Sequence, residues 1–173
     1  DISEFKVYSL SNDSKIIILP QISSSHTPNE YIKYDLDTSC VFIDNNISLY
    51  NQVDNAYSVR DVKFIMKKLK KKINTKFDLA FIPYCAASEF PQSFINLKRA
   101  KEKKNTINQR VKKFLSIGKI IQCSNIIPAG GSYRLDSIFS KLNRFLAIPN
   151  FKQINLIYKK SKIKKFDLIH TQN

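Results

Sequence analysis

The first third of the chain carries the pattern of strands, short apolar runs bounded by turn residues. Residues 5–10 (FKVYSL) and 15–20 (KIIILP) flank the turn segment SNDS and predict a hairpin. Residues 40–44 (CVFID) and 47–54 (ISLYNQVD) predict a second, turning at Asn45-Asn46, because Asn tolerates the left-handed conformation that a two-residue turn demands. At Ser58 the period becomes helical. Val59, Val62, Ile65, Met66, Leu69 and Ile73 share one face, lysines fill the other, and Ser58 with Asp61 forms a candidate capping box. Residues 77–86 (FDLAFIPYCA) predict a buried strand running into a loop. A basic, mostly helical stretch from Ser93 is expected to close at Gly118, glycine being the usual residue just past a helix. Residues 119–132 (KIIQCSNIIPAGGS) predict a strand ending in a glycine pair. A short helix near 135–146, a last strand at 151–158 (FKQINLIY) and a basic tail over 159–173 complete the reading. No repeat or dividing linker is visible, so residues 1–173 are expected to form a single domain.

Composition adds bounds. A chain of 173 residues, 43% hydrophobic and with twelve phenylalanines, suits one domain with a core of its own. No apolar run reaches the length of a membrane span, and no signal-peptide pattern opens the chain. Because the chain begins at Asp1 and its only methionine is Met66, it reads as the later part of a longer protein. Cys40, Cys85 and Cys123 lie far apart and form neither a disulfide framework nor a zinc knuckle. Cys40 and Cys85 fall in apolar runs and read as core thiols, which fits a reducing, cytoplasmic compartment. The formal net charge of +15 has two readings. One is a solvated, lysine-rich surface of the kind that AT-rich coding produces. The other is a face for phosphates, whether of nucleic acid, anionic membrane or nucleotide-bearing substrate. The lysines at 67–72 fall in a helix's last turns, where cations suit the dipole, and read as a solvated face.

Chemistry concentrates at few positions. His26 stands in SSSHTPNE, just after a strand, and Asp54 closes the second hairpin. Spacing alone leaves two readings open: metal ligands, or a loop histidine bonded to backbone and an acid at a turn or helix start. Gly130 and Gly131 are two of only three glycines, so they make either a tight turn or a close approach to a ligand. With Tyr133 and Arg134 alongside, that loop can hold a phosphate through backbone N–H groups and the guanidinium. Ser88-Glu89 and Ser132 lack the G-x-S-x-G elbow of a nucleophile, and His170 has no partner at ligand spacing. P-loop, dinucleotide and EF-hand patterns are absent.

Taken in order, these segments are a strand, a loop with His26, a hairpin ending in VDN, a helix, a strand ending in IPYCAASEFP, a helix, and a strand ending in IIPAGGSYR. This order resembles the second half of the metallo-β-lactamase superfamily, over about residues 25–149. FDLAFIPYCAASEFP and IIPAGGSYR are similar to the branch that contains the CMP-N-acetylneuraminate hydroxylase and, more distantly, ascorbate-phosphate lactonase-like proteins. The resemblance implies an α/β fold, the later half of an αββα sandwich, with a mainly antiparallel or mixed sheet flanked by helices. It implies that His26 and Asp54 ligate a divalent metal, Zn or Fe, with Asp54 also catalytic. Gly130, Gly131, Tyr133 and Arg134 would border a pocket for a phosphorylated or nucleotide-linked sugar. The implied reaction is hydrolysis by metal-bound hydroxide, or oxygenation. Two departures matter. The superfamily's His-x-His-x-Asp-His run is absent, and Ala129-Gly130 stands where its last histidine ligand would be. Two ligands fall short of the three that a catalytic zinc takes, so a degenerate member is also expected as an outcome. The rival is a basic nucleic-acid-binding module without catalysis, which needs lysines and aromatics interleaved on one face. Here the lysines cluster on helix backs and in the tail, and most aromatics occupy strand positions. Two geometric expectations follow from the resemblance: His26 and Asp54 meet at one edge of the sheet, and the PAGGSYR loop lies on the same rim.

Overall fold

The computed structural model describes residues 5–20, 39–53, 55, 57–85, 88–130, 134–161 and 166–169. Seven strands lie side by side in their chain order: β1 (Val7–Ser9), β2 (Ser14–Ile18), β3 (Cys40–Asp44), β4 (Ile47–Asn51), β5 (Phe77–Pro83), β6 (Cys123–Ala129) and β7 (Asp167–Leu168). Neighbours from β1 to β4 are antiparallel, and those from β4 to β7 are parallel. The connections explain the change. A short turn can only reverse a strand, whereas parallel neighbours need a crossover, usually a helix. Helices α1 (Val59–Leu69), α2 (Arg99–Ile121) and α3 (Phe151–Lys160) make those crossovers, and a 3-10 helix, Ser137–Phe145, precedes α3. The coarse expectation of an α/β fold around a mixed sheet therefore holds.

Crossovers that advance in one direction with one hand place their helices on one face of the sheet. Helix α2 accordingly packs against α1, α3, β5 and β6. Beneath the helices, one row of the register runs Ile17, Val41, Tyr50, Ala80 and Ile126. All five are fully buried. Val62 and Ile65 of α1, Val111 and Phe114 of α2, and Ile154 of α3 close the core from above. The alternate positions, Ile16, Ile18, Phe42, Leu49, Leu79, Phe81 and Ile127, are apolar but only half-buried. One face of the sheet is thus sealed and the other is partly open.

Local chemistry sets several boundaries as expected. Asn45 takes φ 50° at the β3–β4 turn, and the hairpin pairs Cys40 with Asn51 through to Asp44 with Ile47. The first hairpin, β1–β2, is also present. In α1, the Asp61 N–H donates to Ser58 Oγ (3.2 Å) and the Ser58 N–H to Asp61 Oδ2 (2.8 Å), completing the capping box. Lys67 and Lys68 are exposed in its last turn, away from the core.

Three expectations are corrected. Helix α2 runs past Gly118 to Ile121 and ends with Gln122 in the left-handed conformation, φ 55°. Gly118 is a packing residue. A Cβ there would lie 2.8 Å from Ile126 Cδ1 and 2.9 Å from Phe166 Cε1 and Cζ, so its absence lets α2 settle onto β6. Residues 151–158 are helix α3 rather than a strand. Gln153 N–H donates to Asn150 Oδ1 (2.9 Å) and Asn150 N–H to Gln153 Oε1 (3.0 Å), a capping box that nucleates the turn. The last strand is β7, within the basic 159–173 segment, where Phe166 is buried and stacks on Tyr158 with ring centroids 5.3 Å apart.

Candidate functional site

In open α/β sheets, ligands settle at the carboxyl ends of parallel strands, where the chain leaves the sheet and its side chains converge. Strands β4, β5 and β6 are adjacent here and end along one edge. Each continues into a segment that the sequence marked as functional.

The exit of β4 is held by a buried relay. Tyr50 O–H donates to Gln52 Oε1 (3.1 Å), and Gln52 Nε2 donates to the Asn55 carbonyl (3.0 Å). The Tyr57 N–H donates to the same carbonyl (2.9 Å), and the Gln52 N–H continues the sheet by donating to Phe81 (3.0 Å). Tyr50, Gln52 and Tyr57 are fully buried. Burial also pushes the Tyr50 phenol well above its ordinary pKa, so it stays a neutral donor. These bonds hold Asn55, and the Val53 N–H donates to Asn51 Oδ1 (3.0 Å), so the residues on either side of Asp54 are both tied down. Tyr57 O–H donates to the Pro20 carbonyl (2.5 Å), tying this corner to the point where the described chain leaves β2. Asn55 Nδ2 is buried and has no hydrogen-bond partner among the described residues.

The exits of β5 and β6 lock onto each other. Tyr84 N–H donates to the Ala129 carbonyl (3.0 Å). Gly130 follows at φ +124°, and a Cβ on it would lie 2.7 Å from the Cys85 carbonyl oxygen. Any side chain would both strain the backbone and part the two strands. The close approach that this glycine permits is thus to the neighbouring strand's exit.

Behind this edge lies a cavity of about 130 Å³. Pro83, Tyr84 and Cys85 form one wall, Arg110 and Lys113 of α2 another, and Tyr57 closes it. Arg110 is anchored through Nη1, which donates to the Ala147 carbonyl (2.7 Å). Burial lowers the Arg110 pKa, with Cys85 opposing. Lys113 is exposed along its side chain, yet protein around its ammonium lowers its pKa, with Asp61 opposing. Burial pushes the Tyr84 phenol up to about 12, and hydrogen bonding to Cys85 adds to this. Burial likewise raises the Cys85 thiol, against the opposing effects of Tyr84 and Arg110. At neutral pH the lining therefore combines two cations with two neutral polar groups.

Of the residues expected from sequence, His26, Asp54, Gly131 and Tyr133 lie outside the described residues. The expected meeting of His26 and Asp54 lies outside them too. Arg134 is exposed, beside Leu135, whose N–H and carbonyl are clasped by the Asn143 carboxamide (2.9 and 2.8 Å). Among the described residues, no group of three or more His, Cys, Asp or Glu side chains could hold a metal, so they do not furnish the donor set that the resemblance implies. No helix among them is long and apolar enough to cross a membrane. None of the three cysteines is in a disulfide; Cys85 and Cys123 are buried and Cys40 is half-buried. Sequence reading missed Arg110 and Lys113, whose only signal was their shared spacing with Ile117 on one face of α2. No family model matches this chain, and no curated protein matches it.

Proposed function

We propose that this chain builds the later half of a metallo-β-lactamase-like αββα sandwich and works as, or within, a metal-dependent enzyme acting on a phosphorylated or nucleotide-linked sugar. The observation that carries the reading is the common edge of β4, β5 and β6. It gathers the exits beside Asp54, at Cys85 and at Gly130, the segments on which the resemblance rests, and the exit at Cys85 borders a cavity that Arg110 and Lys113 also line. The sheet, sealed by helices on one face and apolar on the other, supports it as one half of a sandwich.

In this reading His26 and Asp54 are metal ligands, and Gly130, Gly131, Tyr133 and Arg134 border the substrate. A Zn or Fe ion would supply a hydroxide or bind oxygen. The described residues add no donor cluster, and two ligands are too few for a catalytic ion. The described residues contribute to substrate binding and orientation in this reading. Metal analysis after dialysis against Zn or Fe, with His26→Ala and Asp54→Asn alongside, tests the ligand assignment. Metal retained by wild type and lost by both variants is expected; equal retention by all three defeats it. Calorimetric titration with sugar phosphates and nucleotide sugars tests the substrate class. Arg134→Ala should weaken binding by roughly 1.5–3 kcal/mol if the guanidinium bonds a phosphate. If instead homopolymeric DNA is shifted in a gel at moderate salt while no sugar ligand binds, the nucleic-acid module is the better reading.

A further inference from the structure

Eleven large apolar side chains stand exposed among the described residues, and five of them fall on two neighbouring segments. Phe94, Ile95 and Leu97 precede α2, and Ile138 and Phe139 lie in the first turn of the 3-10 helix. Arg99, the first residue of α2, ties the segments together. Its Nε donates to the Phe94 carbonyl (2.7 Å), and its guanidinium lies over the Phe145 ring, 5.6 Å from the centroid. One turn on, Lys103 Nζ donates to the Arg144 carbonyl (2.8 Å). A 3-10 helix repeats every three residues, so Phe139, Leu142 and Phe145 share one row and Ile138, Lys141 and Arg144 the next. None of its residues is buried. An apolar row that stays out of the core is available to a surface other than the protein's own.

Charge identifies that surface. Lys or Arg fills seven of the twenty-one positions in 93–104 and 137–145, against 29 of 173 in the whole chain, and Glu102 is the single acid there. The cations also stand where the fold disfavours them. Helix N-termini carry partial positive charge and favour acids and polar caps. Yet α2 opens on Lys98, without a side-chain cap, followed by Arg99 and Lys101. An anionic surface over this end compensates the excess. A nucleic acid would meet the same charge, but three of the five apolar residues are aliphatic and offer no ring on which a base can stack. Single apolar side chains projecting among cations match instead the boundary of a bilayer, where headgroups meet the cations and the acyl region takes the apolar tips.

We propose that the surface formed by residues 93–99 and the 3-10 helix binds peripherally to an anionic membrane, with Phe94, Ile95, Ile138 and Phe139 entering the interface and Lys98, Lys141 and Arg144 meeting headgroups. The proposal goes beyond the metal reading and requires no ion. Its test is cosedimentation of the full chain, in EDTA, with vesicles of phosphatidylcholine alone or mixed with phosphatidylserine. Wild type should bind the mixed vesicles saturably and the neutral ones far more weakly, and added salt should release it. Ile95 and Ile138 are each 76% exposed, clear of the core. Ile95→Asp and Ile138→Asp should each weaken binding by about tenfold or more, through the lost apolar contact and the added charge. Ile47→Asp adds the same charge at an exposed isoleucine where β4 begins, on the sheet edge opposite the β5 exit, and should bind as wild type does. Ile95→Ser, which adds no charge, keeps the test decisive if an aspartate variant fails to fold. Equal binding to both vesicle types overturns the anionic partner. An equal loss in Ile47→Asp reduces the effect to overall charge and overturns the site. So does the absence of vesicle binding, whether wild type instead self-associates through residues that Ile95→Asp and Ile138→Asp disperse, or shifts homopolymeric DNA that they release. Since EDTA removes any ion, a failed metal site leaves this result unaffected, and failed vesicle binding leaves the ligand assignment of His26 and Asp54 standing.

Discussion

Substituting Gly118 by alanine isolates the contact that seats α2 on the sheet. Two effects oppose each other. Alanine in a helix interior is favoured over glycine by about 0.8–1 kcal/mol. The new methyl, however, would meet Ile126 Cδ1 at 2.8 Å and Phe166 at 2.9 Å, and overpacking of this kind costs about 1–3 kcal/mol. Neither neighbour can swing into water, since Ile126 is fully buried and Phe166 nearly so. The net expectation is a destabilisation of about 0–2 kcal/mol. A double-mutant cycle sharpens it. Ile126→Val deletes the Cδ1 methyl that makes the shortest contact and by itself costs about 0.5–1.5 kcal/mol. In the double variant that deletion also makes room for the new methyl. The two changes together should therefore cost less than their sum by at least about 0.5 kcal/mol. Urea unfolding of the four proteins gives these differences from shifts in midpoint at constant slope. Additivity within about 0.3–0.5 kcal/mol, or a Gly118→Ala protein stabilised by the full propensity gain, would refute the argument that Gly118 is held by packing.

Three other outcomes follow from the described contacts. Tyr50→Phe leaves Gln52 Oε1 buried without its donor and should cost about 1–3 kcal/mol in urea unfolding; an unchanged midpoint contradicts the relay. The Asp78 carboxylate, bonded by the Ser48 N–H (2.8 Å) and hydroxyl (2.9 Å), is held below its ordinary pKa. Its stabilisation is complete above about pH 4, the unfolded value, and is lost as pH falls through the folded one. Asp78 is exposed, so solvent keeps the contribution small; Asp78→Asn should still flatten the acid limb of stability against pH, and superimposable limbs exclude it. Burial pushes the Cys123 thiol up to about 11. The unfolded thiol therefore ionises first as pH rises from about 8.5, and stability falls between there and 11. Cys123→Ala should show a shallower alkaline loss, and an equally steep one would rule out this linkage.

The parts of the fold written in adjacent residues were legible in the sequence. The Asn45-Asn46 turn and the Ser58–Asp61 box need only neighbours within a few positions, and both are where the pattern placed them. Segment 151–158 shows the limit. Its alternate residues Ile154, Leu156 and Tyr158 satisfy a strand, while Phe151, Ile154, Ile157 and Tyr158 satisfy a helix. The deciding signal was the cap at Asn150 and Gln153. Gly118 was misplaced because a glycine serves equally after a helix or under a close packing contact, and only the partners Ile126 and Phe166 distinguish the two. Arg110 and Lys113 were hidden for a similar reason. In a helix rich in basic residues, nothing local marks the two that face a cavity, since that wall comes from β5, far away in sequence.

The scarcity of glycine gives the two close contacts a further meaning. Every glycine codon begins with two guanines, so coding drift toward A and T removes this residue wherever another can take its place. This lysine-, isoleucine- and asparagine-rich chain keeps only three glycines. Two of them, Gly118 and Gly130, stand where a single added carbon would strike a neighbour. At those positions replacement carries a structural cost that any such drift would meet. In a sequence with so few glycines, Gly118 and Gly130 mark places where the backbone tolerates no side chain, and their rarity alone draws the eye to them.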